Sequence, residues 1–227
     1  MGSGDMGCVK NLRRWRIDQG RVPEEALRLV GRGGVLVFPT ETVYGLGGCP
    51  MDEKVIGRIF SIKDRPVGKP LPLVAAHLEA VRRAVAWWPS WAQALADAFW
   101  PGPLTLVLPA APGFPRDLVS QQGTIALRIS SHPVPKRLAD ACGGWIVATS
   151  ANLSGEPPVR DPNKLSKTLL QRVDGLLDGG LLEKEVPSTV VELFPGEMPR
   201  WRCVRRGAVD PTGVARILGV EPAGSAD

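Results

Sequence analysis

The chain has 227 residues, with 28 Lys and Arg against 23 Asp and Glu, and a formal net charge of +5. This length suits one large α/β domain and can bury a sizeable core without disulfide or metal staples. No apolar run is long enough to cross a membrane and no apolar signal core is present, which excludes a membrane-spanning protein and favours the cytoplasm. The positive charge predicts an anionic partner, with nucleotide, pyrophosphate and nucleic acid all open.

The first elements in chain order are a helix and a buried strand. Pro23 begins the helix, which ends before Gly33. Residues 35–38, V-L-V-F, are an apolar run typical of a strand buried on both faces. Thr40 and Tyr44 belong to the polar cluster that follows, and glycines after it predict a tight turn and a close approach. Polar groups at the carboxyl end of a buried strand are where open α/β sheets place their ligands.

Short helices and strands make up the rest of the chain. Asp52 is the candidate N-cap of a helix that Pro66 stops. Further strands are predicted at 71–75, 104–108, 124–129, 145–148, 188–193 and 201–204, and further helices at 78–86, 91–99, 135–141, 163–173 and after Asp210. The irregular order predicts one mixed α/β domain over 11–219, with a flexible leader at 1–10 and a flexible tail at 220–227.

The cysteines and histidines do not form a recognisable metal-binding pattern. The cysteines are Cys8, Cys49, Cys142 and Cys203. They are widely spaced without a C-x-x-C pair, so a zinc site is not expected. We expect free thiols, which are typical of a reducing cytoplasm. His77 and His132 have no base or ligand partner at a readable spacing and are expected to be structural.

Two cations, Lys63 and Arg65, stand two residues apart where the helix is predicted to break. In extended backbone both side chains project from one face. Lysine supplies a point charge and arginine a fork that fits phosphate oxygens, so the pair is a candidate phosphate-binding element. The alternative is two solvated surface charges.

A second polar cluster, A-T-S-A-N-L-S-G, follows the predicted strand at 145–148. Ser150 and Asn152 are small polar residues suited to bonding the phosphates or ribose of a nucleotide, and Gly155 permits a sharp turn. The alternative is an Asx-type turn without a ligand. The sequence contains no G-x-x-x-x-G-K-[ST] motif, so nucleotide binding would not use a P-loop.

Seven short motifs between residues 22 and 210 carry a resemblance to a known family. They are F-P-T-E-T-V-Y-G-L-G (38–47), K-D-R-P (63–66), W-P-G-P-L-T (100–105), A-L-R-I-S-S-H-P (126–133), T-S-A-N-L-S-G (149–155), P-S-T-V-V (187–191) and R-R-G-A-V (205–209). Together and in this order they resemble the YrdC/Sua5 family of threonylcarbamoyl-AMP synthases. The resemblance implies a YrdC-like twisted mixed sheet with flanking helices and a concave basic cleft.

The resemblance also implies an activity. Members use ATP, bicarbonate and L-threonine to form threonylcarbamoyl-AMP and pyrophosphate, which feeds the t6A37 modification of tRNA through a t6A transferase machinery. No side-chain nucleophile is needed, so catalysis would be positioning and charge neutralisation by Lys63, Arg65 and Mg²⁺, with no protein metal site. The residues that this places in the cleft are Lys63, Arg65, Ser150, Asn152 and Arg205 for the nucleotide and Thr40, Tyr44, Arg128 and Ser188 for threonine.

The chain departs from the family pattern at a few positions. Many members have proline where Ser130 stands. The longer Sua5 type has a histidine where Val74 stands and an extra C-terminal domain, for which little chain follows Gly219. We therefore expect the short YrdC type. Two other functions are open: an RNA-binding protein of this fold, whose affinity would fall steeply with salt, and a YciO-type paralogue without this activity.

Overall fold

The computed structural model describes residues 12–66, 68–183 and 186–224, so the predicted leader at 1–10 lies outside the described residues. The helices are α1 (Glu24–Gly31), α2 (Glu53–Lys63), α3 (Leu78–Ala84), α4 (Ser90–Phe99), α5 (Pro133–Ala141), α6 (Lys167–Arg172) and α7 (Pro211–Leu218). The strands are β1 (Arg13–Arg16), β2 (Leu36–Phe38), β3 (Gly45–Gly47), β4 (Leu73–Ala75), β5 (Leu104–Pro109), β6 (Thr124–Arg128), β7 (Trp145–Val147), β8 (Thr149–Ser150), β9 (Gly175–Asp178), β10 (Thr189–Leu193) and β11 (Trp201–Arg205). Short 3₁₀ helices lie at Arg116–Leu118 and Pro162–Lys164.

The strands divide into two mixed sheets, which confirms the α/β class. The first sheet has the order β1-β9-β2-β3-β8, and the second has the order β11-β10-β5-β6-β4-β7. Parallel and antiparallel neighbours occur in both sheets. Because Ala148 alone separates β7 from β8, the chain passes from one sheet to the other in a single residue.

Strand β2 is buried on both faces, as its apolar run predicts. Val35 and Val37 belong to the main hydrophobic core, whereas Leu36 and Phe38 belong to a second core beneath α1 and α5. All four side chains have no solvent exposure. The period of two in a strand sends neighbours to opposite faces, so one short element links the two cores.

The glycines after β2 form a strand, and the predicted tight turn is wrong. Gly45–Gly47 is β3, which pairs antiparallel with β2. The predicted close approach is present, but it is to protein backbone. A Cβ on Gly47 would lie 1.6 Å from the carbonyl oxygen of Val147, and one on Gly48 would lie 2.9 Å from that of Gly34. These glycines therefore let β3 press against β7 and the loop before β2.

Helix α2 begins at the predicted N-cap, but it ends before the proline that was expected to stop it. Asp52 Oδ1 accepts a hydrogen bond of 2.9 Å from Lys54 N, which confirms the predicted N-cap. The buried positions Val55, Ile56, Ile59 and Ile62 follow helical spacing. The helix ends at Lys63, where Asp64 adopts a left-handed conformation with φ 49°, two residues before Pro66.

Besides β3, the strands β1, β8 and β9 and part of the C-terminal region were not predicted. β1 reads R-R-W-R and β9 reads G-L-L-D, and neither has the apolar alternation of a half-buried strand. They pair with each other in parallel. Within the predicted flexible tail, Ala223 N donates to Trp201 O at 2.7 Å and Val220 O accepts from Trp201 Nε1 at 3.0 Å.

The expectation of free thiols is wrong for two cysteines. Cys49, after β3, and Cys142, after α5, form a disulfide with their Cα atoms 5.1 Å apart. The two cysteines are 93 residues apart in the sequence, so no local motif indicated that they pair. Cys203 is the free cysteine among the described residues, and Cys8 lies outside them. None of the described helices has the length and apolar character needed to cross a bilayer.

Candidate functional site

A cavity of about 750 Å³ lies over the second sheet, and we call it the cleft. Its cations are Arg65, Lys69, Arg128 and Arg205, and no Asp or Glu is among the described residues that line it. The volume is in the range of small-molecule and cofactor sites. A concave surface with cations and without acids attracts anionic ligands.

The pleat of the second sheet decides which side chains reach the cleft. Thr105 and Val107 line it from β5, and Thr124, Ala126 and Arg128 line it from β6. Successive lining residues are two apart, as expected for one face of a strand. The alternation in T-I-A-L-R therefore places Arg128 in the cleft and Leu127 in the hydrophobic core.

Lys63 and Arg65 diverge because the chain is not extended between them. Lys63 is the last residue of α2, and the left-handed Asp64 turns the chain before Arg65. Arg65 lines the cleft, where its Nε donates to Lys69 O at 3.0 Å and its Nη2 donates to Pro70 O at 3.1 Å. The expectation that both side chains project from one face of extended backbone is therefore wrong.

Lys63 lies beneath the cleft wall and is not among its lining residues. Its side chain is almost fully buried, and Nζ donates to the carbonyl oxygen of Asn152 at 2.7 Å and to that of Ser150. Burial and then the nearby charge of Arg65 lower the pKa of Lys63 to about 8. An ammonium group retains a further N–H donor beyond these two bonds.

Strand β8 brings Ser150 to the cleft, and the loop that follows it keeps Asn152 in the cleft wall. Ser150 lines the cleft, whereas Asn152 is buried and does not line it. Asn152 Nδ2 donates to Leu153 O at 2.9 Å and to Glu156 O at 2.6 Å. Asn152 Oδ1 is buried with no hydrogen-bond partner among the described residues. Asn152 thus holds the loop through Nδ2, and its Oδ1 can still accept a hydrogen bond from a group outside the loop.

Arg128 is held by an acid that the sequence reasoning missed. Glu41 Oε1 accepts a hydrogen bond from Arg128 Nη1, and Glu41 Oε2 accepts one from Ser130 Oγ. Burial and then the charge of Arg205 lower the pKa of Arg128 to about 10, and the guanidinium stays charged at neutral pH. The sequence contained a signal for this role of Glu41: it is an acid between two threonines, in a stretch already assigned to the site.

Arg205 and Ser188 meet in the cleft as the resemblance implies. Arg205 Nη2 donates to Ser188 O at 2.8 Å and to Ser188 Oγ at 3.0 Å. Ser188 Oγ is also 2.9 Å from Thr105 Oγ1, which the sequence reasoning missed together with Lys69. Burial lowers the pKa of Arg205.

Two residues expected at the threonine end do not line the cleft. Thr40 is buried in a turn, where its Oγ1 donates to Val43 O at 2.7 Å and accepts from Thr42 N at 3.1 Å. Thr42 and Val43 line the cleft in its place. Tyr44 has no solvent exposure, and its hydroxyl donates to Gly180 O at 2.7 Å. Burial raises the pKa of Tyr44 to about 12. Tyr44 directly precedes β3 and belongs to the main hydrophobic core with Leu46, because residues two apart in extended backbone face the same side.

Both histidines cap helices, which confirms that they are structural. His77 Nδ1 accepts from Ala80 N at 3.1 Å, and His132 Nδ1 accepts from Val134 N at 3.2 Å. Burial lowers the pKa of His132 to about 4, so this ring is neutral at physiological pH. Within the described residues, no group of three or more His, Cys, Asp or Glu side chains is placed to hold a metal ion.

Comparison with known proteins identifies close relatives. The model of the Sua5/YciO/YrdC family, which carries the description "telomere recombination", matches residues 28–207. A threonylcarbamoyl-AMP synthase of Xanthomonas campestris is 38% identical over 179 residues, which cover 78% of this chain and 96% of that protein. One from Coxiella burnetii is 34% identical over 178 residues, covering 78% and 95%.

Solved structures with the same fold include one with a bound amino acid. The crystal structure of Pyrococcus abyssi Sua5 complexed with L-threonine has a TM-score of 0.83 and 31% identity. The match covers 93% of this chain and 62% of that longer chain. The crystal structure of Escherichia coli YciO has a TM-score of 0.76 and 27% identity, covering 92% and 99%.

Proposed function

The chain belongs to the Sua5/YciO/YrdC family, and on that premise we propose that its cleft is the active site of an L-threonylcarbamoyladenylate synthase, a nucleotidyltransferase. The reaction would consume ATP, bicarbonate and L-threonine and form threonylcarbamoyl-AMP and pyrophosphate. The observation that carries the proposal is the cavity of about 750 Å³ lined by cations without an acid, in a chain 38% identical to a threonylcarbamoyl-AMP synthase.

The phosphate end of the cleft is proposed at Arg65, Lys69 and Lys63. Arg65 and Lys69 line the cavity, and the Arg65 fork suits phosphate oxygens. Lys63 retains a donor beyond its two carbonyl bonds, and its charge lies directly behind Ser150. We assign Ser150, Asn152 and Arg205 to the nucleotide: Ser150 and Arg205 line the cleft, and Asn152 supports this part of the wall by bonding the carbonyls of Leu153 and Glu156.

The amino-acid end is proposed at Arg128 and Ser188. A guanidinium that is mostly buried pairs well with a carboxylate, and Ser188 and Thr105 offer hydroxyls beside it. Thr40 supports this end by fixing the turn that presents Thr42. Tyr44 supports it from the core, where its hydroxyl bonds the backbone beyond β9.

The chemistry requires positioning and charge neutralisation. Bicarbonate gives CO₂ and hydroxide; the threonine amine adds to the carbon of CO₂ and loses a proton, which joins the hydroxide as water, and a carbamate results. A carbamate oxygen then forms a bond to the α-phosphorus of ATP, the bond from that phosphorus to the bridging oxygen breaks, and pyrophosphate leaves with the electron pair. Cations along the cleft stabilise the negative charge that develops on the phosphate oxygens. The reaction needs no side-chain nucleophile.

Mg²⁺ would supply further charge neutralisation when it enters with ATP. The described residues that line the cleft include hydroxyls but no carboxylate, so the protein itself offers poor magnesium ligands there. Magnesium commonly binds through substrate phosphates and water, which fits this lining. The side-chain roles described above do not depend on it.

The product would serve the t6A37 modification of tRNA through a t6A transferase machinery in the cytoplasm. With a disulfide present, that location follows from the proposed role and not from free thiols. The likeness to YciO supports a second candidate, a paralogue with the same fold and a different reaction. The 38% identity to a threonylcarbamoyl-AMP synthase, against 27% to YciO, favours the synthase. RNA contact stays a prediction.

The test is direct product detection. The protein is incubated with ATP, bicarbonate and L-threonine, and threonylcarbamoyl-AMP is sought by mass spectrometry, with each substrate omitted in turn. The proposal predicts product and pyrophosphate in the complete mixture alone. A protein that binds ATP but yields no adenylate would support the YciO-type alternative, and salt-sensitive RNA binding without ATP dependence would support the RNA-binding one.

A further inference from the structure

Two residues that do not line the cleft hold the guanidinium of Arg128: Glu41 does so directly, and Ser130 does so through Glu41. Glu41 contacts Arg128 through one carboxylate oxygen and Ser130 through the other. The side chains of Arg128 and Glu41 are 9% and 14% exposed, so the pair is largely desolvated. Neither Glu41 nor Ser130 lines the cleft, so this acid approaches Arg128 from behind the substrate surface.

The local charges explain why such an acid is needed. Arg205 lies near enough that its charge disfavours the charged form of Arg128. Two cations at one surface repel each other, and a buried cation without a partner is costly. Glu41 offsets both costs, and because Ser130 fixes the second oxygen, the carboxylate is restrained at both ends. The restraint passes to Arg128, whose remaining N–H donors are then set in direction.

We propose that Glu41, held by Ser130, is a positioning residue that orients Arg128 to receive the carboxylate of the amino-acid substrate. This inference rests on the proposed function and deepens it by naming what sets affinity at the amino-acid end. A fixed guanidinium loses less freedom when it pairs with the substrate carboxylate, so threonine binds more tightly. ATP contacts other side chains and is not affected.

Three variants test the inference. Glu41→Gln removes the charge and keeps the shape, and Ser130→Ala removes the second restraint together with the hydrogen bond of 3.2 Å that Ser130 Oγ accepts from His132 N. Glu192→Gln is the matched control, because Glu192 is 12% exposed, pairs with Arg202 at 2.5 Å and does not line the cleft. For each protein, kcat and KM for threonine are measured at saturating ATP and bicarbonate, KM for ATP is measured at saturating threonine, and threonine binding is measured by calorimetry.

Glu41→Gln is expected to raise KM and Kd for threonine by about tenfold or more, with kcat and KM for ATP changed less than about threefold. Ser130→Ala is expected to raise KM for threonine by about threefold, and Glu192→Gln is expected to match the wild type. A further variant, Glu41→Asp, keeps the charge and is expected to recover part of the loss.

Unchanged threonine KM and Kd in both Glu41→Gln and Ser130→Ala would overturn the inference. An equal loss of threonine and ATP binding would also overturn it, because that is the mark of a merely structural role. If Glu41→Gln lacks a cooperative melting transition, Ser130→Ala decides. If the wild type binds threonine without forming the adenylate, the proposed function fails while calorimetry still decides the role of Glu41. If the wild type does not bind threonine, both fail.

Discussion

Lys63 and Asn152 lie 89 residues apart in the chain, and Lys63 Nζ donates a hydrogen bond of 2.7 Å to the carbonyl oxygen of Asn152. The same ammonium bonds the carbonyl of Ser150. One buried cation therefore joins the end of α2 to β8, which supplies Ser150 to the cleft, and to the loop after β8. The two polar motifs behave as one wall, and a change at Lys63 should alter the loop as well as the local charge.

Removing either cation at the end of α2 should weaken ATP binding. Lys63→Ala and Arg65→Ala each remove a charged hydrogen-bond donor, which typically costs about 1.5–3 kcal/mol. Calorimetry with ATP and steady-state pyrophosphate release measure the effect. Arg82→Ala is the control, because Arg82 is exposed, bonds Gln93 at 2.8 Å and lies outside the cleft lining. Wild-type ATP affinity in both Lys63→Ala and Arg65→Ala would contradict the phosphate assignment.

The pKa of Lys63, lowered to about 8, predicts a pH dependence of ATP binding. Above this pH the folded protein loses the charge, so ATP affinity should fall as pH rises through about 8. Lys63→Arg should lose this dependence, since arginine stays charged. An ATP affinity that is flat in the wild type from pH 7 to pH 9, on the order of 1 unit either side of that pKa, would contradict the prediction.

The stability of the fold should respond to the same group with the opposite sign. Lys63 has a folded-state pKa of about 8 against an ordinary value of 10.5, so between these values the unfolded chain binds more protons. Its contribution to the free energy of unfolding therefore rises with pH across that window. Denaturant titrations of wild type and Lys63→Met at several pH values measure this contribution as the difference between the two slopes.

Gly47 should not tolerate a side chain, because its Cβ would lie 1.6 Å from Val147 O. Gly47→Ala should lower the free energy of unfolding by about 1–3 kcal/mol or more, since backbone must shift. Gly57 is the matched control, because it lies in α2 and a Cβ added there would meet no atom within 4 Å. Gly57→Ala should raise stability by about 0.5–1 kcal/mol. Equal effects in urea titrations would show that β3 does not press on β7.

Thr40→Val should damage threonine use more than ATP binding. Valine keeps the shape of threonine but loses the hydroxyl that bonds Val43 O at 2.7 Å, so the turn that presents Thr42 loosens. An unpaired buried group costs about 1–3 kcal/mol. Pyrophosphate release with varied threonine and varied ATP separates the two effects. Thr168→Val, at an exposed position of α6, should behave as wild type.

The wild-type cleft should also prefer threonine to valine. Hydroxyls of Ser188 and Thr105, which lie 2.9 Å apart, would lose a partner if valine replaced threonine. Serine lacks only the methyl group and should lose about 1 kcal/mol. Pyrophosphate release with the three amino acids measures this order. Equal use of threonine and valine would show that no hydroxyl is recognised at this end.

Local sequence signals predicted the elements whose stability is local. The apolar run of β2 and the Asp52 cap of α2 are examples, because burial on two faces and a capped helix end are both visible in a few residues. The strands β1 and β9 were missed because their sequences carry no local strand signal, and only their pairing across the chain makes them strands. The disulfide of Cys49 and Cys142 was likewise missed because no local motif indicated it.

The site shows the same division. Motifs identified Arg65, Arg128, Ser150, Ser188 and Arg205, which all line the cleft. The motifs did not predict which of their residues point away from the cleft. The polar groups of Thr40, Tyr44 and Lys63 donate hydrogen bonds to backbone carbonyls instead. The direction of these side chains depends on the left-handed conformation of Asp64 and on which residues next to β3 face the core. Both are set by tertiary packing.

The most direct test of the central claim is an isotope experiment. Wild-type protein is incubated with ATP, L-threonine and ¹³C-labelled bicarbonate, and the adenylate is analysed by mass spectrometry. A cleft that performs the proposed reaction yields an adenylate that contains both threonine and the label, with equimolar pyrophosphate. An absence of labelled adenylate from folded protein that binds ATP and threonine would contradict the account.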